Sequence, residues 1–549
     1  MLEEDLENIS DETSSGEEFD NCSEHNLQSD TEQEVSDLDE ADTIEVSANS
    51  DDSEDNIPLS VLSTRRLPTV EVHAPHYKSK DGQKWYKRPL RTNIRTRSEN
   101  IIVEQPGVRG AAREAKTELQ YWNIFMTEEI KAIILKHTNE EIMKRREQCD
   151  DPAKLYNMKE TTSTEFDAFI GLLYTAGPNK SSRQSLKDLW RTDGTGVDIF
   201  RTTMSLQRFY FLQNCVRFDN KSTRDEGKKL DNMAHIRTIF EKFVDCSLVD
   251  AKTFYTVNLE VYAGKQPTGP YSVSNKAYDV VERLVQPISR TNRNITFDNW
   301  FTSYELMMCL LNEHRLTSTG TVRKNKRSIP AAFLKTGKAS GSSMFGHQKD
   351  VSMVSYAPKK NKVVIVMSSL HHDDKIDSAT GDQKKPEIIT FYNSTKTGVD
   401  VVDELCGSYS VSRNSKRWPM TVYYGMLNIA AVNANIIFRE NQGKDTKRTD
   451  FIRNLGLSLV YEHLKLRKDQ KNIPTYIRQK ISSQINEPLS STQNVPGRYV
   501  RCGDCTYKKH RKTKYVCLRA IPNTTRSKLR AQLVVTHLLS RLIINYYFQ

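Results

Sequence analysis

The pattern of apolar residues changes twice along this chain, and those changes limit the folds open to it. From residue 119 apolar positions recur at the 3.6-residue period of an α-helix. From residue 254 alternating runs are followed by helical stripes, an order typical of an α/β core. The helical period returns after residue 410. The sequence therefore predicts α/β plus all-α architecture, with the α/β segment lying between two helical segments.

Several short elements are expected within this frame. The sequence predicts strands at residues 254–262, 295–300, 316–323, 363–367 and 388–392. It predicts helices at residues 277–288, 304–311, from about 398, 422–438 and 449–466.

Charge is very unevenly distributed over the 549 residues, whose formal net charge is +10. Residues 1–55 hold 22 of the 70 acidic residues and no Lys or Arg, so the remainder carries 80 basic against 48 acidic residues. A body of this charge favours a polyanionic partner, DNA or RNA, because phosphate contacts dominate nucleic-acid affinity. A surface that is basic only for solubility is the other interpretation.

The N-terminal region has two compositions. Residues 1–60 predict a disordered acidic tail, because they hold too few apolar residues to offset the entropy of ordering. Residues 61–114 are basic and predict an arm on the phosphate backbone, a nuclear import signal or a plain linker. No apolar run reaches membrane-spanning length, and no secretory signal pattern is present, so we expect no membrane partner.

Acidic residues in two places carry the candidate chemistry. Asp400, Asp403 and Glu404 share one face of a predicted helix, where oxygen ligands suit Mg2+. Taken alone, these acids are better explained as a solvated helix start, where the helix dipole favours acidic residues. Asp298 ends a predicted strand, and RNase H-like nucleases build a two-metal site from an acid so placed and an acidic helix. The pattern predicts Asp298, Asp400 and Asp403 as catalytic Mg2+ ligands.

Four ordered motifs, at residues 295–303, 319–327, 392–400 and 412–419, resemble the piggyBac transposase family. The resemblance extends over about residues 115–518. It implies an RNase H-like core inserted in a helical dimerisation and DNA-binding domain. It also implies a nuclear homodimer that transposes double-stranded DNA at TTAA sites by two-metal phosphoryl transfer, with no small-molecule substrate.

The resemblance also assigns residues. Asp298 and Asp400 correspond to the second and third of the family's three catalytic aspartates, with Asp403 as an auxiliary acid. The DNA-binding residues that it implies are Arg323, Lys324, Lys326, Arg327, Arg413, Lys416, Arg417 and Trp418.

The chain departs from the family where the first catalytic aspartate belongs. Residues 243–247 run directly into 248–252, and the family's intervening segment, with its central strand and that aspartate, is missing. Asp245 and Asp250 are the nearby acids, and neither matches. Two cations about 4 Å apart need shared carboxylates, so we expect a DNA-binding protein that does not cut DNA. An active enzyme with a substitute aspartate and a mis-spliced product without function are the alternatives.

The C-terminus departs in the same way. Cys502, Cys505 and Cys517 resemble the start of the family's Cys-rich zinc domain, but the rest of its ligand set is missing. A partial module that holds one Zn2+ and an unfolded stub are both open.

The predicted organisation follows from these comparisons of composition and motif. The segments are the acidic tail 1–60, basic linker 61–114, first helical part 115–247, first core part 248–325 without its first strand, insertion 326–387, core part with the catalytic helix 388–409, second helical part 410–490, truncated Cys-rich module 491–518 and unrelated tail 519–549.

Overall fold

The computed structural model describes most of the chain between residues 74 and 486, and two short pieces beyond. The described residues are 74–90, 101–103, 107–108, 110–179, 184–244, 249–250, 253–256, 258–442, 446–486, 500–501 and 512–513. The predicted tails 1–60 and 519–549 lie outside them, as do Asp245, Cys502, Cys505 and Cys517.

Helices from the two ends of the described chain build one helical body. The first group comprises α1 (Glu118–Asn123), α2 (Glu128–Glu147), α3 (Pro152–Leu155), α4 (Ser163–Ala176), α5 (Leu186–Leu189), α6 (Asp198–Thr203), α7 (Leu206–Cys215), α8 (Arg224–Leu230) and α9 (Arg237–Val244). The helices that follow residue 417 pack into the same apolar core. The predicted split of the helical region by the α/β segment is therefore observed.

Threonine and serine side chains set the starts of several helices in the first group. Thr127, Thr162 and Ser205 each accept a hydrogen bond from the backbone N–H three residues on. At α1, Thr117 and Gln120 cap each other's backbone in a reciprocal capping box. Each cap satisfies an N–H group that a helix start leaves without an intrahelical partner.

The α/β segment comprises the remaining elements before the second helical group. Its strands are β1 (His76–Lys78), β2 (Lys84–Tyr86), β3 (Val249–Asp250), β4 (Tyr255–Thr256), β5 (Asn294–Phe297), β6 (Thr317–Thr321), β7 (Ser343–His347), β8 (Ser352–Lys359) and β9 (Lys362–Ser368). Its helices are α10 (Ala277–Leu284), α11 (Tyr304–Asn312), α12 (Ala331–Leu334), α13 (Glu387–Thr395) and α14 (Gly398–Ser408). The second helical group is α15 (Trp418–Gln442), α16 (Arg448–Lys468) and α17 (Thr475–Asn486), and two short strands follow, β10 (Val500–Arg501) and β11 (Lys512–Thr513).

Seven strands form one mixed sheet in the order β1-β2-β7-β8-β9-β6-β5. Strands β5 and β6 are parallel, with Asn294 opposite Thr317 and Phe297 opposite Gly320, and the other pairs are antiparallel. Alternating side chains give the sheet two apolar faces. Met353 and Met367 face the layer that contains α10 and α11, whereas Val354 and Val366 face α13.

The tightest helix crossing joins the two helical groups. A Cβ atom at Gly171 of α4 would lie 2.8 Å from the carbonyl oxygen of Gly456 in α16, and one at Gly456 would lie 2.8 Å from Thr175 Oγ1. Tyr174, also on α4, accepts a hydrogen bond from Trp122 Nε1 at 2.8 Å and donates one to the Leu427 carbonyl at 2.6 Å. Close packing of small residues and buried hydrogen bonds therefore hold α1, α4, α15 and α16 together.

A buried arginine holds a second junction of the helical body. The Arg208 guanidinium donates to both carboxylate oxygens of Glu165, at 2.9 and 2.7 Å, and to the backbone carbonyls of Asn157, Lys159 and Glu160. Burial alone would raise the pKa of Glu165, but the hydrogen bonds and charge of Arg208 outweigh it and hold that pKa below its usual value.

The prediction of a basic linker over residues 61–114 is wrong for residues 74–90. Strands β1 and β2 form a hairpin that pairs with β7 through Tyr86 and His347. Trp85 is completely buried, and its Nε1 donates to the Ser328 carbonyl at 3.1 Å. The predicted insertion 326–387 likewise contributes β7, β8 and β9 to the same sheet. These pairings join distant residues, so local periodicity does not reveal them.

Two predicted strands are also corrected. Residues 388–392 are part of helix α13, which begins after Pro386, and Ile388, Ile389 and Tyr392 fall on one helical face against the sheet. Among the described residues of the predicted strand 254–262, Tyr255–Thr256 forms a strand, and it pairs with β3 in a separate two-stranded sheet. The predicted strands at 295–300, 316–323 and 363–367 and the five predicted helices are confirmed, with shifted ends.

The small β3–β4 sheet docks on the helical body. The backbone N–H of Thr256 donates to Asn433 Oδ1 at 2.8 Å, and Asn433 Nδ2 donates to the Thr256 carbonyl at 3.1 Å. Asn433 lies on α15, which is long and apolar enough to cross a membrane by composition. That helix is mostly buried in the helical core, as is common in core helices of globular proteins.

Candidate active site

Asp298 lies where strand β5 ends. Its backbone carbonyl accepts hydrogen bonds from the N–H groups of Phe301 and Thr302 and from Thr302 Oγ1, which turns the chain sharply into α11. Its side chain is exposed, and one carboxylate oxygen accepts the N–H of Asn299. The predicted position of this acid at a strand end is confirmed.

Asp400 and Asp403 lie on α14, as predicted. Both side chains are exposed, and their spacing places them on one face of the helix. The preceding helix α13 is joined to β5 by a hydrogen bond of 2.7 Å between the hydroxyls of Thr296 and Thr395. Because Thr296 lies close before Asp298 and Thr395 close before Asp400, this bond brings the two acidic segments toward each other.

The pKa of Tyr392 responds to the negative charges of two of these carboxylates. Its hydroxyl lies 3.4 Å from Thr321 Oγ1 on β6. Burial raises the pKa of Tyr392, and the negative charges of Asp298 and Asp400 raise it further. The negative charges of Asp298 and Asp400 therefore both act on this buried phenol, which lies beside the end of β6.

The described carboxylates do not form a compact ligand set for a pair of divalent cations. Two such metals lie about 4 Å apart and need bridging carboxylates. In the described part of the chain, the carboxylate oxygens of Asp298, Asp400 and Asp403 do not all lie within 4.8 Å of one another. Among the described strands, β5 pairs with β6 alone, so no neighbouring strand brings a further acid to Asp298.

An exposed aromatic residue and a basic loop border Asp298. Trp300 is 54% exposed, and the Arg323 guanidinium stacks over its ring at 4.4 Å. Arg323 Nε also donates to Asn299 Oδ1 at 3.1 Å, which ties the loop after β6 to the loop after β5. Lys324 and Lys326 are half-exposed and Arg327 is exposed in the same loop. Sequence reasoning identified these cations but missed Trp300.

The second predicted basic segment, residues 413–418, is placed differently. Arg413 is 7% exposed, and Lys416 is exposed. Arg417 donates to the backbone carbonyls of Gln213, Asn214 and Val216 at the end of α7. Its side chain therefore holds two helices together, and Arg413 is buried, so Lys416 and Trp418 are the exposed ones among the predicted DNA-binding residues of this segment.

A small cavity of about 180 Å³ lies beside Trp418. Its lining includes Arg217, Arg224, His235 and Arg417, and also Asp219, which is paired with Arg224. The Trp418 ring packs edge-on against His235 with centroids 5.6 Å apart. Burial lowers the pKa of Arg417 to about 10, and the charges of Arg217 and Arg224 act in the same direction. Sequence reasoning missed Arg217, Arg224 and His235, because they are far in sequence from Trp418.

Comparison with known proteins gives two matches. A family model described as Transposase IS4 matches residues 117–247 and 246–435. The chain is also similar to the protein in a cryo-EM structure of a piggyBac transposase synaptic complex with hairpin DNA. The two are 31% identical, the match covers 74% of this chain and 95% of that chain, and the TM-score is 0.65.

Proposed function

Since the chain belongs to the piggyBac-type transposase family, we propose that it is a transposase-derived protein that binds double-stranded DNA and does not cut it. The observation that carries this proposal is the incomplete carboxylate site at the exposed end of β5. There Asp298 and Asp400 approach Tyr392 without a third acid on a neighbouring described strand.

The region before β5 supports the proposal that the protein does not cleave DNA. The two stretches that match the family model meet at residues 246–247, where the sequence lacks a segment expected of the family. The short sheet that follows pairs with itself and docks on Asn433 of the helical body. A strand between it and β5 would supply both the missing aspartate and the missing neighbour of β5.

One comparison and two surface features support DNA binding. The solved piggyBac transposase was captured with hairpin DNA. In this chain the loop with Lys324, Lys326 and Arg327 borders Asp298, and Trp300 beside it offers an exposed ring on which a base can stack. The cations would neutralise phosphates along the duplex, and the acidic site would face the backbone.

Other parts of the proposal rest on family membership and charge. We place the protein in the nucleus as a homodimer that prefers TTAA-flanked DNA, because these properties accompany DNA transposition in the family. Zinc binding by Cys502, Cys505 and Cys517 stays a prediction, since these residues lie outside the described ones.

The DNA surface can be tested by removing two positive charges near Asp298. Lys326→Gln with Arg327→Gln is expected to weaken duplex binding and to lower the slope of log K against log salt by about 2, because two phosphate contacts are lost. The measurement is fluorescence anisotropy of a labelled duplex at several salt concentrations.

A matched control removes the same charge elsewhere. Lys359 at the end of β8 and Lys360 in the turn that follows are exposed, and changing both to Gln is expected to leave the salt slope close to that of the unchanged protein. Equal effects of the two double variants would show that binding follows net charge alone, which contradicts a DNA surface at this loop.

A further inference from the structure

A cluster of three metal-ligating side chains lies away from the aspartates. Glu282 on α10, Cys309 on α11 and His314 just after α11 each offer one ligand atom, and these atoms all lie within 4.8 Å of one another. His314 is buried, and the other two are half-buried. Residues from two helices and a turn thus converge on one point.

The position of the cluster separates it from the proposed active site. Val281 beside Glu282 and Leu310 beside Cys309 belong to the apolar layer on one face of the sheet. The helix that precedes Asp400 packs its residues Ile388 and Ile389 on the opposite face. A metal at the cluster would therefore act on α10 and α11 and not on the aspartates.

The chemistry of the three donors selects a borderline-soft cation. A thiolate with an imidazole and a carboxylate suits Zn2+ in tetrahedral geometry, whereas Mg2+ takes oxygen ligands. In a zinc site with bonds of about 2.0–2.3 Å, donor atoms lie roughly 3.3–3.6 Å apart. The widest allowed separation here would need to shorten by no more than about 1.5 Å, which side-chain rotation can supply.

A neighbouring hydroxyl group already orients one of the donors. Ser289 Oγ lies 3.0 Å from His314 Nδ1 and fixes the imidazole plane. Ligating histidines are usually held by a hydrogen bond to the ring nitrogen that does not bind the metal. The backbone is held as well, because the His314 carbonyl accepts the N–H of Arg290.

We propose that Glu282, Cys309 and His314 form a structural Zn2+ site with a water as fourth ligand. Binding would replace the thiol proton by the metal and release that proton to solvent, with no change of oxidation state. The metal would tie α10 to the end of α11, the helix that begins shortly after Asp298, and so stiffen the layer behind β5 and β6.

The test measures zinc per chain in the full-length protein after dialysis against EDTA and then ZnCl2. Cys309→Ser and His314→Gln are each expected to bind a full equivalent of zinc less than the unchanged protein. Cys149→Ser is the matched control, because Cys149 is also a half-buried free cysteine and lies in the helical body. A triple variant with Cys502, Cys505 and Cys517 changed to Ser is expected to retain this equivalent.

A second measurement uses the unchanged protein and so does not depend on the folding of any variant. Zn2+ is expected to slow alkylation of Cys309, read by mass spectrometry, several-fold more than alkylation of Cys149. It is also expected to raise the melting temperature by about 2 °C or more. Unchanged zinc content in Cys309→Ser, or equal alkylation of Cys309 with and without Zn2+, would overturn the proposal.

Discussion

Replacing Gly171 by Ala is expected to destabilise the helical body by about 1–3 kcal/mol, although alanine is the better helix former. The new methyl group would lie 2.8 Å from the Gly456 carbonyl oxygen, 2.8 Å from Val460 Cγ1 and 2.9 Å from Leu459 Cβ. Two of these contacts are with backbone or Cβ atoms, which cannot move aside without separating α4 from α16. The measurement is thermal unfolding followed by circular dichroism.

The same substitution at Gly425 provides a control of opposite sign. Gly425 lies inside α15, and a Cβ atom there meets no heavy atom within 4 Å. Gly425→Ala is therefore expected to raise stability by up to about 1 kcal/mol through helix propensity. Equal shifts of the melting temperature for the two variants would contradict the close crossing of α4 and α16.

Loss of Arg208 is expected to cost about 3–5 kcal/mol, because it leaves a buried carboxylate without its cation. The side chains of Arg208 and Glu165 are 10% and 16% exposed. Arg208→Ala would also leave the backbone carbonyls of Asn157 and Lys159 without this donor. The free energy of unfolding can be measured by urea denaturation.

Two further variants distinguish the loss of the ion pair from a general loss of stability. Arg453 and Asp450 form a salt bridge at 2.9 Å whose side chains are 53% and 51% exposed, so Arg453→Ala is expected to cost less than about 1 kcal/mol. Glu165→Ala together with Arg208→Ala is expected to cost less than the sum of the single changes. Additive losses would show that the two residues do not act as a pair.

Helices were predictable from the sequence because their signal is local. The apolar stripe in residues 277–288 and the long run after Trp418 carry the 3.6-residue period within a single window. The extended interpretation of residues 388–392 failed because a run of five residues with two isoleucines and two aromatics is too short to distinguish the two periods. Its helical state depends on packing of Ile388 and Tyr392 against the sheet.

Long-range pairings were outside the reach of sequence patterns. Trp85 looked like part of a basic arm, but it is buried because it meets Ser328 and the strand that contains His347. At the site, motif order was enough to place Asp298 and Asp400 near each other. It could not reveal that Arg417 holds the end of α7, because the carbonyl groups that it binds lie some two hundred residues earlier.

The most direct measurement of the central claim is strand cleavage of a labelled TTAA-flanked duplex with Mg2+ or Mn2+. A piggyBac transposase on the same substrate confirms that the assay detects cutting. With Asp298 and Asp400 near Tyr392 but no third acid supplied by a described neighbour of β5, we expect the protein and its Asp298→Asn variant to give the same background signal. Cleavage by the unchanged protein that Asp298→Asn abolishes would contradict the claim that it does not cut DNA, and its loss in Asp250→Asn or Asp245→Asn would identify the substitute acid.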